Sequence, residues 1–72
     1  MPEMEDVVRG VLDDAFRYAI PGRFWDYVRG ALSVHGAIIV EERREDRVTV
    51  VVVQVGDEEI SVDWTPPQRR HS

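Results

Sequence analysis

Apolar residues recur every three or four positions from residue 3 to residue 35, and every second position from Ala37 to Trp64. The first regime predicts two amphipathic helices and the second predicts three strands. In the first helix, over residues 3–20, Met4, Val8, Val11, Ala15 and Tyr18 form an apolar stripe widened by Val7, Leu12 and Ala19. Asp6, Arg9, Asp13, Asp14 and Arg17 lie across from it. Glu3, Glu5 and Asp6 fall in the first turn, where the helix dipole favours negative charge. Pro21 stops the helix, because the residue before a proline is pushed out of helical dihedrals, and Gly22 completes the corner. A second helix begins at Pro21 or Arg23 and runs to His35. Phe24, Val28, Ala31, Leu32 and His35 make its stripe, flanked by Trp25, Tyr27 and Val34. Gly36 is placed to end it in a left-handed conformation.

The strands read as AIIVEERR, RVTVVVVQV and EEISVDW, with tight turns expected at Glu45-Asp46 and Gly56-Asp57. Gly-Asp is a good two-residue hairpin signal and Glu-Asp a mediocre one. Turns at those positions set Arg43 opposite Val48, Glu41 opposite Val50 and Ile39 opposite Val52. On the other side they set Val53 opposite Ile60, Val51 opposite Val62 and Thr49 opposite Trp64. One sheet face then collects Ile38, Val40, Val51, Val53, Val55, Ile60, Val62 and Trp64, and the helices should pack there. The other collects Ala37, Ile39, Val48, Val50 and Val52 inside a polar rim of Glu41, Arg43, Gln54, Glu59, Ser61 and Asp63. The expectation is a small α+β domain over residues 1–64 in the order ααβββ, with two helices on one face of a three-stranded antiparallel meander. Residues 65–72, with two prolines and no apolar anchor, are expected to form a disordered tail. A winged-helix arrangement would need a third helix and a basic recognition face, and neither is present.

Length sharpens the question of the second face. A chain of 72 residues builds a core that supplies only about 3–5 kcal/mol, and oligomerisation is a common remedy. With no cysteine, neither disulfides nor thiolate metal sites can brace it. No His/Asp/Glu spacing suggests a metal, and no cofactor is expected. The second face could be solvated, cover a second copy, or receive a different protein. The leading expectation is a non-enzymatic interaction module acting as a homodimer, with Ile39, Val48, Val50 and Val52 as the contact patch.

Charge narrows the partners. Nine arginines face fourteen acids, and Arg69 and Arg70 lie in the final segment, so residues 1–64 carry −7. An acidic body supplies little of the counterion release that drives nucleic-acid binding, so neither DNA nor RNA is expected as a partner. No apolar run approaches a membrane span, and the start MPEMEDVV is acidic, so a cytoplasmic protein without membrane contact is expected. The alternative function is an acidic binding inhibitor, of the antitoxin or anti-restriction type, presenting Glu41, Glu42, Glu45, Asp57, Glu58 and Glu59 to a basic site on a target.

Catalytic motifs are absent: there is no glycine-rich phosphate loop, nucleophile elbow or paired-histidine helix. His35 is the one titratable residue with an unusual address, in the last turn of the second helix, where the dipole favours its protonated form. Its ordinary role there is a partly buried structural histidine. Trp25 and Trp64 border the apolar faces of a helix and a strand, and core packing is their ordinary role.

Overall fold

The computed structural model describes residues 3–67. Helix α1 (Met4–Tyr18) and helix α2 (Phe24–Val34) are followed by strands β1 (Ala37–Glu45), β2 (Val48–Val55) and β3 (Glu58–Trp64). The strands form one antiparallel sheet in the order β1-β2-β3. Both helices lie on the same face, α1 over β3 and α2 over β1. The architecture is the α+β arrangement that the two periodicities imply. Residues 65–67 carry no regular structure, and the rest of the expected tail, residues 68–72, lies outside the described residues. Among the described residues no helix is long and apolar enough to cross a membrane.

The corner between the helices is a tight turn. The Arg23 N–H donates to the Ile20 carbonyl at 2.8 Å, and Gly22 adopts φ +87°. Proline then glycine at the two central positions is the pairing a type II turn requires. Helix α1 therefore ends three residues before Pro21 instead of running up to it. At the far end of α2, Gly36 has φ +74° and donates its N–H to the Ser33 carbonyl at 3.0 Å, a left-handed helix stop.

Val8, Leu12 and Ala15 of α1, Val28 and Leu32 of α2, and Ala37, Val51, Val53, Val62 and Trp64 of the sheet form the buried core. Met4, Val11, Phe24, Trp25, Ile39, Val55 and Ile60 pack around it. Tyr18 and His35, expected on the apolar stripes, are exposed instead. Each lies at the last turn of its helix, past the point where the stripe meets the sheet.

The second hairpin has the expected register: Val53 opposes Ile60, Val51 opposes Val62 and Thr49 opposes Trp64. The first does not. Its turn falls at Asp46-Arg47, one residue later than expected, so Glu45 opposes Val48 and Arg43 opposes Val50. Asp46 takes φ +60° there, as Gly56 takes +61° in the other turn. A short aspartate side chain tolerates the left-handed region better than glutamate does. Further along, the pairing passes from Glu41 with Val52 to Ile39 with Val53, which makes Val40 the extra residue of a β-bulge.

The bulge reverses the faces of the root of β1. Ala37 and Ile39 turn to the helices, against the core, while Ile38 and Val40 are 67% and 48% exposed. The expectation that Ile38 and Val40 face the helices, with Ala37 and Ile39 outside, is therefore corrected. Beyond the bulge, Glu41 and Arg43 share the outer face with the even-numbered valines, as expected.

Candidate functional site

The register arranges the outer face as rows of cross-strand partners, which share a face and lie side by side. One row is Arg43, Val50 and Asp63; the next is Glu41, Val52 and Ser61; the row nearest the Gly56 turn is Ile38, Gln54 and Glu59. Val48 faces Glu45 at the far end. A column of three valines therefore runs up the middle, with arginine and glutamates on one flank and acids and serine on the other. Of the expected contact residues, Val48, Val50 and Val52 lie on this face. Ile39 does not, and Ile38 takes its place.

Val50 is only 6% exposed although it stands outside the helix-covered core. Arg43 occupies the same row and is drawn along β1 by two ion pairs, to Glu41 at 2.8 Å and to Glu45 at 3.3 Å. Each such exposed pair contributes at most about 1 kcal/mol, but together they fix where the arginine stem lies. Val48 and Val52 remain half-buried. The outer face is thus a shallow apolar column with charged shoulders, and no segment among the described residues covers it.

The fold divides the acids expected to act together between the two faces of the sheet. Glu41 and Glu45 are engaged with Arg43 on the outer face. Glu42 pairs with Val51 and so faces the helix side. Asp57, Glu58 and Glu59 lie at the opposite end of β2. Glu45 and Glu58 oppose Val48 and Val55, seven residues or roughly 23 Å apart along β2, whereas Glu41 and Glu59 stand in neighbouring rows of the outer face.

A second concavity opens on the helix side. Helix α2, at about 1.5 Å per residue, is much shorter than β1 at about 3.3 Å per residue, so the tip of the first hairpin overhangs the helices. Beneath the overhang lies a groove of about 400 Å³ lined by Phe16, Phe24, Trp25 and Trp64, with Glu42, Arg43, Arg44 and Thr49 on the strand side and Pro66 at its edge. Phe24 packs edge-on to Trp25 at 5.0 Å between ring centroids. It lies 5.8 Å from Trp64, and Phe16 meets Trp64 edge-on at 6.2 Å. The Trp64 indole N–H donates to Asp13 Oδ1 at 2.9 Å, which ties the end of β3 to α1. Arg9 adds a second tie, donating through Nε to the Asp63 carbonyl at 3.3 Å.

No protein-family model matches this chain, and neither a curated protein nor a solved structure shows detectable similarity to it. The reading of function rests on the geometry alone.

His35 is the exposed capping residue of α2, and its backbone N–H bonds to the Leu32 carbonyl at 2.9 Å. No carboxylate or hydroxyl is hydrogen-bonded to its ring among the described residues. Among those residues no three His, Asp or Glu side chains are grouped to hold a metal ion. Sequence reasoning picked out Trp25 and Trp64 singly but not the groove they share, because its four rings come from three elements. The signal available was that every tryptophan, and every phenylalanine, falls near a helix end or a strand end.

Proposed function

We propose that this chain is a small non-enzymatic protein-interaction module that self-associates through the outer face of its sheet. The observation that supports this reading is the outer-face column of Val48 and Val52, both half-buried, and Val50, 6% exposed, with Ile38 at 67% exposure in the next row beside Gln54. It forms an apolar centre inside charged shoulders on the one face the helices leave open. Interfaces have that anatomy, an apolar core ringed by polar groups. A core this small also gains from a second copy. A cytoplasmic setting belongs to the same reading, in keeping with the absence of cysteine.

Light scattering across a concentration series tests the proposal. The wild type should approach twice the monomer mass as concentration rises, while Val52→Glu and Ile38→Glu remain monomers. A wild type that stays monomeric throughout counts against it.

The acidic-inhibitor reading keeps one supporting feature. Asp57, Glu58 and Glu59 cluster at the β2–β3 turn beside Val55 and Gln54, with no arginine across from them. A basic protein bound there would be released as salt rises, which a pull-down at two ionic strengths measures.

A further inference from the structure

We infer that the aromatic groove on the helix side receives a proline-rich segment of a partner protein, bound in the extended polyproline II conformation. The groove lies across the sheet from the valine column, so this inference goes beyond the self-association proposed above and does not depend on it.

The chemistry of the groove is one-sided. Its floor is a run of four rings: Trp25 stands edge-on to Phe24, Phe24 is tilted 35° against Trp64, and Phe16 meets Trp64 edge-on. Phe16 is 39% exposed, and Phe24 and Trp25 are half-buried, so ring surface is left open to a ligand. The polar groups are mostly donors. Arg44 and Thr49 are cross-strand partners on the helix face, and neither side chain makes a hydrogen bond or ion pair among the described residues. The Trp25 indole N–H has no acceptor among them either, whereas that of Trp64 is taken by Asp13.

A complementary ligand brings apolar rings and acceptors, and few donors. Proline has a ring and a carbonyl but no N–H. In the polyproline II helix none of the carbonyls is used internally, so each is available to a donor. A helical ligand has already used its backbone carbonyls, and an added strand would bring N–H groups that find few acceptors here. The polyproline helix is also preformed, and aromatic-lined grooves are its usual receptors.

The chain itself places one proline in this setting. Pro66 lies at the edge of the groove and is half-buried, while Thr65 and Pro67 on either side of it are exposed. The rings thus already take a proline side chain, from a stretch without regular structure. Charge adds a preference for what flanks the prolines. Glu42 is the single acidic side chain in the lining and is unpaired among the described residues. The body of the chain is acidic as well, so a basic flanking residue is favoured at low salt.

Titration of isotope-labelled protein with acetylated octaproline, followed by NMR, tests this. The Trp25 indole resonance should move saturably and that of Trp64, held by Asp13, should stay nearly in place. An added C-terminal arginine on the peptide should tighten binding, and the gain should fade as salt rises. Trp25→Phe keeps a ring and removes the N–H, and Arg44→Ala removes the charged donor at an exposed position; each should weaken binding roughly three- to tenfold. No saturable shift at millimolar octaproline overturns the inference, as do equal shifts from a glycine–serine peptide of the same length. A Trp25 resonance that moves with protein concentration alone assigns the groove to Thr65–Pro67 of a second copy and overturns the separate partner. Val52→Glu, which removes self-association, should bind octaproline as the wild type does. Loss of binding in that variant overturns the placement in the groove, and a monomeric wild type that binds the peptide overturns only the self-association.

Discussion

Deleting Val40 should leave the fold intact, an unusual expectation for a residue inside a strand. Glu41 pairs with Val52 and Ile39 with Val53, so Val40 has no partner of its own. Its removal joins the two halves of β1 into one regular ladder without moving any residue to the other face. Two energetic effects then oppose each other. One residue fewer is ordered, which lowers the entropy lost on folding by roughly 1–2 kcal/mol. Val40 is 48% exposed, so about half of a burial term of roughly 2 kcal/mol disappears. The net change should lie within about 1 kcal/mol, or a shift of about 4–8 °C or less in Tm for a domain of this size. Deleting Val52 gives the contrast, because β2 is paired on both sides. Whichever half of β2 slips, its side chains change face, for instance driving Gln54 inward and Val53 out. A lost buried valine and a buried unpaired amide would together exceed the roughly 3–5 kcal/mol that such a core supplies. Circular-dichroism melts of both deletions, with cross-strand NOEs for the Val40 deletion, decide the matter. Loss of the cooperative melt on deleting Val40, or an NOE pattern pairing Ile39 with Val52, would refute the bulge argument.

Other expectations follow from single contacts. Leu12→Ala empties a fully buried site and should cost about 2–5 kcal/mol, enough to unfold much of the population in a urea titration. Asp13→Ala leaves the part-buried Trp64 indole N–H without its acceptor; a loss of about 1–3 kcal/mol and a displaced indole proton resonance are expected. Gly36→Ala forces a side chain into φ +74°, a conformation that disfavours L residues by about 1–2 kcal/mol, and its melting temperature should fall accordingly.

The parts of this fold legible in the sequence are those with one physical solution. Pro21 and Gly22 can only be a corner, and Gly56-Asp57 can only be a tight turn, which fixes Val53, Val51 and Thr49 against Ile60, Val62 and Trp64. The root of β1 is different. Ile38, Ile39 and Val40 are three apolar residues in succession, and any of them could face the helices. Their order is decided by where Asp46 puts the first turn and by a bulge whose benefit appears only once Ala37 and Ile39 have helices to meet. The Asp13–Trp64 bond was illegible for the same reason, joining residues 51 positions apart. The outer face could be read further, because its valines and its charged shoulders lie on strands whose parity survives the one-residue displacement of the first turn.

The ties between α1 and β3 also govern the order of events in folding. The first helix finds its main sheet partner in the last strand, so α1 cannot dock until nearly the whole chain is in place. The local pieces, the α1–α2 corner and the two hairpins, can each form within microseconds. Closing Trp64 onto Asp13 is a long-range step whose entropy is lost before its contacts repay it. A fragment stopping short of β3 would leave Val8, Leu12 and Ala15 facing water and should gain no stable structure. Folding of this small chain is therefore a single late event, and a substitution at Asp13 or Trp64 should slow it as well as weaken its product.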